Sequence, residues 1–305
     1  MPVATKEIKR RLRSIGNTKK ITKAMEMVSA AKMRKAVNAV LETRTYANSA
    51  WDIVKNLSAK TDPSHHKLLQ KNDNKKGKVG LILITSNRGL CGGFNREIIE
   101  TVATYIRNHK KENIEVEAEV FLLGMRGRDI MYKHGHEIIA EFAKLDVATR
   151  INEVTPLAKA AISDYISGRY HKVVVAYTDY QSAMKQVPTI KKLLPIEQED
   201  DELGYISEQQ KQDEKDMQKD FEYAFEPSPD VVLDQMLNRL IELQIYQALL
   251  ESNASEHSAR MLAMRNASDA AGDMIEDLTL TFNQARQQAI TAEIAEISAG
   301  AAAVR

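Results

Sequence analysis

Residues 236–303 read MLNRLIELQIYQALLESNASEHSARMLAMRNASDAAGDMIEDLTLTFNQARQQAITAEIAEISAGAAA. Steps that alternate between four and three residues, starting at Met236, meet apolar or small residues at nearly every position. We call this stripe of positions the seam of the helix. A seam that keeps its register over this length predicts a left-handed coiled coil. The polar exceptions along the seam are Gln247, His257, Ser268 and Glu296.

This helix has a well-defined predicted start. Ser228 can cap it, Pro229 suits the first helical position, and Asp230 places an acid in the first turn. No proline follows Pro229, so the helix, assigned to 228–305, should continue to the end of the sequence. At a rise of about 1.5 Å per residue it would be about 100 Å long.

The N-terminal residues carry a matching seam. Proline is absent from 3–62, so residues 1–60 are predicted to form a second helix, about 80 Å long. Near Gly16 the pattern shifts phase, and Ile21, Met25 and Val28 are predicted to resume the inward face. We expect the two helices to pair antiparallel. The remaining seam positions are Ile8, Leu12, Ile15, Met33, Ala36, Val40, Thr43, Ala47, Ala50, Val54 and Leu57.

The chain between the two seams alternates strand and helix patterns. Apolar runs such as KVGLILIT at 78–85 are typical of buried strands. Strands that alternate with helices predict a parallel, doubly wound sheet, so the fold class is α/β with a Rossmann-like domain inserted over 75–225. The other predicted strands are 115–123, 137–142 and 172–177; the helices are 96–109, 125–134 and 155–167; and 185–196 is expected to be extended, with 221–225 as a candidate to pair with it.

Charge is distributed unevenly, although the formal net charge is only +1. Residues 1–50 are strongly basic, which predicts an acidic partner. Residues 196–220 are strongly acidic and indicate a solvated insertion. A net charge near zero argues against nucleic acid as the partner of the basic end, so we favour an acidic protein surface.

Composition excludes several classes of protein. The single cysteine, Cys91, leaves no disulfide framework and no cysteine-based metal site. The start, MPVATKEIKRRLRS, lacks the apolar core of a signal peptide, and no apolar run is long enough to cross a bilayer. A low aromatic content with many Ala, Met, Lys, Glu and Gln favours long helices.

Three features suggest chemistry, and each has a simpler structural interpretation. The segment SNRGLCGGFN at 86–95 could bind phosphate at a helix start, but it lacks the known phosphate-loop spacings, so a tight turn that contacts a partner is favoured. Cys91 has no definable catalytic partners. The histidines at 65–66 and 134–136 lack metal-ligand spacing. We therefore expect no catalytic, cofactor or metal site.

The end of the last helix, 281–304, is rich in alanine and contains Ile290, Ile294 and Ile297. An exposed helix normally carries more charge, so either a partner encloses this segment or it is a frayed tail. Arg286 and Gln287 are among its few polar side chains able to make specific contacts. In the N-terminal helix, Met27 does not fit the inward seam.

Four stretches of the chain resemble the signatures of one family, the γ subunits of bacterial F-type ATP synthases. The resemblance spans nearly the whole chain, and the joint occurrence of the two terminal motifs makes it specific. The stretches are NTKKITKAMEMVSAAKMRK at 17–35, RGLCGG at 88–93, ESNASEHSARMLAM at 251–264 and ITAEIAEISAGAAAV at 290–304.

The resemblance implies a rotating central-stalk subunit with no catalytic site and no cofactor of its own. In that family, proton flow turns a membrane ring of c subunits, and the γ coil drives the β subunits through their nucleotide-binding states. The implied partners are α and β subunits around the coil, with the ε subunit and the c ring at the globular part. The implied location is peripheral, at the cytoplasmic face of the cell membrane. By motif match, the partner-contact residues are Met25, Lys32, Arg34, Cys91, Arg286 and Gln287.

Two other interpretations are open on the sequence alone. A stand-alone coiled-coil hinge protein would carry similar arms, although such arms are usually far longer. A nucleotide-binding enzyme would use the middle sheet. The acidic stretch at 196–220 is longer than we expect of a minimal family member, and it lacks the cysteine pair of the thiol-regulated chloroplast insertion.

Overall fold

The computed structural model contains two long terminal helices and, between them, a five-stranded sheet with further helices. It divides into two compact units: the first contains residues 1–30 and 260–305, and the second contains residues 31–259. The structure describes residues 3–60, 66–70, 78–111, 117–133, 137–144, 146, 150–196 and 229–303. The predicted acidic insertion and the candidate strand at 221–225 lie outside these residues.

The described elements follow the predicted order. The helices are α1 (Val3–Lys60), α2 (Phe94–Lys111), α3 (Arg126–Lys133), α4 (Thr155–Ile166) and α5 (Pro229–Ala303). The strands are β1 (Lys78–Ile84), β2 (Ala118–Leu123), β3 (Glu137–Phe142), β4 (Tyr170–Tyr180) and β5 (Gln186–Leu194). A 3₁₀ turn at Ile151–Glu153 precedes α4. The two long terminal helices and the four predicted strands are therefore confirmed.

The sheet has the order β3-β2-β1-β4-β5. Strands β1 to β4 are parallel, and helices connect them. The sequence predicted this doubly wound arrangement, and the structure confirms it. Strand β5, which was expected only to be extended, turns back from β4 and pairs with it antiparallel at the sheet edge.

Each central strand buries both of its faces, because successive side chains point to opposite sides of the sheet. On one side, Ile82 and Ile84 pack with α4, with α5 and with Val54 of α1. On the other side, Leu81 and Leu83 pack with α2 and α3. The second unit is therefore a three-layer α/β core in which segments of both terminal helices form part of one layer.

The two terminal helices also meet directly within the second unit. Ala47 and Ala50 of α1 form a buried cluster with Leu243 of α5. All three were predicted seam positions. Alanine at the contact lets the two helix axes approach closely.

In the first unit, the two chain ends pair antiparallel. A Cβ atom at Gly272 would lie 2.9 Å from Lys19 Nζ, so these positions face each other. Seam positions of α5 are at least half-buried as far as Ala289, and every side chain from Ile290 to Ala301 is exposed. Val3 lies about as far before Lys19 as Ala289 lies after Gly272. Burial on α5 therefore stops where α1 begins, as an antiparallel pair requires.

The predicted phase shift near Gly16 is wrong. Ile21 and Val28 are 60% and 56% exposed, whereas Thr22 and Ser29 are buried. Regular steps of four and three residues lead from Ile15 to these two polar positions, so the seam stays in register. Apolar character misled the prediction because small hydroxyl side chains fill this close helix–helix contact and the larger apolar side chains face outward.

Candidate partner-binding surfaces and the polar contacts of the last helix

The outward face of α1 in the first unit combines apolar and basic side chains. Ile21 and Val28 lie two helical turns apart, and both are more than half exposed. Lys20 and Lys23 beside them are also exposed. Met27, which the sequence placed outside the seam, is 60% exposed, and that prediction is confirmed. Such a surface suits a partner that offers apolar and acidic groups together.

The end of α5 is a second exposed apolar surface. The helix continues to Ala303, and Ile290, Ile294 and Ile297 are 48%, 59% and 68% exposed. Their spacing places them close together along one side of the helix. A shallow depression nearby is lined only by residues of this helix, among them Gln287 and Thr291. It is an open helix surface and lacks the enclosure of a small-molecule site.

The six sequence-predicted contact residues lie in different surroundings. Arg34, Arg286 and Gln287 are exposed, and Met25 is half-buried on α1. Lys32 bonds within the second unit, where its Nζ lies 3.2 Å from Asp146 Oδ2. Cys91 is 3% exposed. Their contacts with other subunits stay predictions, because the structure contains this chain alone.

Asp146 links α1 to α5. Burial by itself would raise the pKa of the Asp146 carboxyl, but the hydrogen bond and charge of Lys32 outweigh it, with help from the charges of His257 and Lys144, so the pKa lies below its usual value. The backbone carbonyl of Asp146 accepts a hydrogen bond at 2.9 Å from Nε2 of His257 on α5.

The glycine-rich loop after β1 is closed by its own side chains. The Ser86 amide donates to Asn95 Oδ1 at 3.0 Å, and Asn95 Nδ2 donates to Ser86 Oγ at 2.7 Å and to Cys91 Sγ at 3.3 Å. Leu90 projects outward at 62% exposure, with a positive φ of 62°. These contacts support the tight-turn interpretation. Leu90 and Arg88 are exposed side chains of the loop, whereas the Cys91 thiol is buried.

Residues 251–258 of α5 are all buried, although most of them are polar. Ser255 Oγ donates to the Thr178 carbonyl of β4 at 3.1 Å. Ser258 Oγ donates at 2.6 Å to the carbonyl of Ala183, in the β4–β5 turn. Polar groups are buried at low cost only when they are hydrogen-bonded, so these contacts explain how Ser255 and Ser258 are accommodated inside the unit.

A buried ion pair completes these contacts. Lys144, two residues after β3, places Nζ 2.6 Å from Glu256 Oε2, and the two side chains are 0% and 2% exposed. The same Nζ donates to the Thr85 carbonyl at 2.9 Å and lies 5.8 Å from the centre of the Phe94 ring. The lysine thus joins the ends of β1 and β3 to α5.

Sequence reasoning missed this ion pair. The only signal was the cluster of polar residues on an otherwise apolar seam helix, which identifies Glu256 and His257 as unusual but gives no partner for them. Lys144 and Glu256 are 112 residues apart in the chain, and only the fold brings them together.

Within the described ranges, no group of three His, Cys, Asp or Glu side chains could hold a metal ion. No helix in the part of the chain that the structure covers is both long enough and apolar enough to cross a bilayer.

Comparison with known proteins identifies the family. The family model described as ATP synthase matches residues 4–304. The ATP synthase gamma chain of Herpetosiphon aurantiacus is 42% identical, and the alignment covers 99% of each chain.

Two solved structures from Euglena gracilis have the same fold. The mitochondrial ATP synthase rotor matches with a TM-score of 0.62 at 20% identity, covering 94% of this chain and 99% of the other. The OSCP/F1/c-ring assembly contains a chain that matches with a TM-score of 0.64 at 20% identity, covering 99% and 94%.

These matches do not favour a stand-alone hinge protein, because they extend along nearly the whole chain and agree on one family. The paired terminal helices, the inserted α/β unit and the near-complete alignments lead to one conclusion: this chain belongs to the ATP synthase gamma chain family, whose members are rotating central-stalk subunits.

Proposed function

We propose that this chain couples proton flow through a membrane c ring to conformational change at catalytic β subunits, and that it has no catalytic site of its own. The observation that carries the proposal is the end of α5, where an apolar helix face extends past its partner helix with every side chain exposed from Ile290 to Ala301. An apolar surface of this kind is stable when a partner encloses it.

The enclosing partner, in this proposal, is a ring of α and β subunits. The smooth, small-residue end of α5 turns inside that ring, and the basic, apolar face of α1 around Ile21 and Val28 meets acidic surfaces of the β subunits. Because the helical pair is asymmetric, each orientation stabilises a different set of β conformations. Rotation therefore changes the relative free energies of the β states.

The second unit, in the same proposal, meets the ε subunit and the c ring. The chain is then a peripheral subunit at the cytoplasmic face of the cell membrane, held there by protein contacts. The glycine-rich loop supports a binding role over a catalytic one, because Ser86, Asn95 and Cys91 bond to one another.

Individual contacts with α and β subunits are assigned to Met25, Lys32, Arg34, Arg286 and Gln287, together with the loop that contains Cys91. Leu90 supplies the exposed apolar side chain of that loop.

Arg286→Ala should lower turnover of the assembled enzyme without changing its nucleotide specificity, because a mechanical role does not involve substrate recognition. Altered specificity would argue against a purely mechanical role.

Co-purification tests the proposal. Affinity-tagged full-length chain expressed in its native cells should recover α and β subunits, and the assembled enzyme should pump protons when it hydrolyses ATP. A chain ending at Phe282 should assemble with weaker coupling, because it lacks the exposed end of α5, while its β-sheet circular dichroism signal persists. Recovery of the tagged full-length chain without α or β subunits would refute the proposal.

Equilibrium dialysis separates the mechanical role from a nucleotide-binding one. The isolated full-length chain should show no tight binding of ATP, since its glycine-rich loop bonds to itself. Tight, saturable ATP binding to the isolated chain would instead support a nucleotide site on the sheet.

A further inference from the structure

The contacts of α5 with the sheet domain differ in kind along the helix. From Leu233 to Leu249 they are mainly apolar, with residues such as Leu237 and Ile241 in the main core. From Ser255 to Ser258 they are hydrogen bonds and an ion pair. Apolar contacts have no preferred direction, whereas hydrogen bonds weaken steeply when donor and acceptor are misaligned.

Four successive residues of α5 make these polar contacts, and consecutive helix positions are about 100° apart around the axis. Ser255 bonds to β4, Glu256 to Lys144, His257 to the Asp146 carbonyl, and Ser258 to the β4–β5 turn. The bonds therefore surround most of the helix circumference. A turn of α5 about its own axis against the sheet would misalign all four of them.

Lys144, the partner of Glu256, is itself held in place by further hydrogen bonds. Nζ is held by the Glu256 carboxylate and by the Thr85 carbonyl, and the Lys144 backbone carbonyl accepts a hydrogen bond at 2.7 Å from Asn87 Nδ2. Neither charged side chain reaches solvent. Salt screens a buried charged pair much less than an exposed one, and the hydrogen bonds of such a pair are stronger than neutral ones.

We propose that Lys144 and Glu256 are positioning residues that fix the rotational angle of α5 against the α/β sheet, so that torque applied to the sheet domain reaches the helix without slip. The proposal rests on the function proposed above, because torque passes through this junction only if the chain is a rotor. Neither residue contacts substrate; the pair acts through the helix that it holds.

The test uses the assembled enzyme with its α and β subunits fixed to a surface and a bead attached to the sheet domain. The variant Lys144→Met/Glu256→Met removes both charges and keeps unbranched side chains of similar length. While the enzyme is paused, the angular variance of the bead should rise above that of the unmodified enzyme, because methionine cannot make the hydrogen bonds that Lys144 Nζ donates to Glu256 and to the Thr85 carbonyl. ATP turnover per assembled enzyme should be unchanged.

Lys78→Met is the matched control. Lys78 also lies 2.6 Å from a buried glutamate, Glu119, but this contact joins β1 to β2 and does not involve α5. The angular variance of the bead on the Lys78→Met enzyme should equal that on the unmodified enzyme. A double variant that assembles normally and keeps the unmodified variance would overturn the proposal, as would an equal increase in Lys78→Met.

A third variant covers failure of the double variant to assemble. Glu256→Gln removes one charge and retains the size of the side chain, and it should also widen the angular variance; no change would overturn the proposal. The same measurements distinguish failure of the proposed rotor function from failure of the proposed role of the Lys144–Glu256 pair. If the unmodified enzyme does not rotate its bead with ATP, the rotor function fails; if it rotates and the variants are equally stiff, only the role of the Lys144–Glu256 pair fails.

Discussion

One helix, α5, has two very different environments. Between Leu243 and Ser258 nearly every side chain is buried, including polar ones, whereas from Ile290 to Ala301 every side chain is exposed. The secondary structure is the same, so helix propensity does not explain the difference. One segment is held by contacts within its own chain, and the other is exposed.

The two units also differ in what fills their contacts. The second unit buries large aliphatic side chains, such as Leu240 and Ile241, against a sheet. In the first unit, the described buried side chains are mostly small or polar: Thr5, Thr22 and Ser29 of α1, and Arg260, Met264, Ser268 and Ala271 of α5. Burial free energy scales with the apolar area removed from water, so the first unit gains much less from its own contacts. It should therefore depend more on partners for its stability.

Truncating one leucine or isoleucine to alanine in each environment should give the largest difference in the free energy of unfolding. Leu240→Ala, at a buried core position, should lower the free energy of unfolding of the full chain by about 2–5 kcal/mol, because it leaves a cavity. Ile294→Ala, on the exposed end of the same helix, should change it by less than about 0.5 kcal/mol. Urea unfolding followed by circular dichroism measures both. Equal losses for the two variants would show that α5 does not have the two environments described.

Replacing a buried carboxylate in the second unit should change the free energy of unfolding by an intermediate amount that depends on pH. Glu119 accepts hydrogen bonds from Lys78, Tyr170 and Arg169 at 2.6, 2.7 and 2.8 Å. Burial by itself would raise the pKa of Glu119, but these bonds outweigh it and hold the pKa below its usual value. The ionised form is therefore the one that stabilises the fold.

Glu119→Gln should lower the free energy of unfolding by about 1.5–3 kcal/mol at neutral pH, because charge-assisted hydrogen bonds are lost. The stabilisation by Glu119 is present above the unfolded pKa of about 4.3 and disappears as the pH falls through the lower, folded pKa. The difference between the two proteins should therefore shrink on acidification below about pH 4. Urea titrations at several pH values provide the measurement; a difference that is constant with pH would contradict the assignment.

A glycine substitution in the first unit should give the smallest change in stability. Gly272→Ala places a Cβ atom only against the flexible end of Lys19, so it should stabilise the paired ends by about 0.5–1 kcal/mol through the higher helix propensity of alanine. Slower amide hydrogen exchange in 264–282 of the full chain would confirm this gain.

Gly124→Ala is the contrasting substitution in the second unit. Gly124 has a φ of +97°, and an added Cβ would collide with the carbonyl oxygen of Thr85. It should therefore destabilise the sheet domain. If Gly272→Ala speeds exchange in the first unit instead, the Lys19 side chain is held more rigidly there than we infer.

Much of the fold is predictable from the sequence because its signals are local. The seam periodicity and the absence of proline identified α1 and α5, and the apolar runs identified β1 to β4. The phase of α1 was not predictable from apolar character, because Thr22 and Ser29 take the inward positions while Ile21 and Val28 face outward. A search for strict three- and four-residue steps, regardless of polarity, would have found the correct register.

The candidate site was predictable only in part. Family motifs pointed to the exposed surfaces, and the six contact residues stay predictions. The Lys144–Glu256 pair could not be predicted, since the loop after β3 and the middle of α5 come together only when the sheet forms. The antiparallel direction of β5 depends likewise on its turn back from β4.

Attaching a bead to the sheet domain tests the proposed rotation. Tyr132 on α3 is 79% exposed, and Cys91 is buried, so Tyr132→Cys provides one accessible thiol for labelling among the residues that the structure describes. With the α and β subunits fixed to a surface, ATP should drive the bead in one direction, and removal of ATP should stop it. Hydrolysis of ATP by the same immobilised complexes while the bead only fluctuates about a fixed angle would contradict the proposed role of this chain.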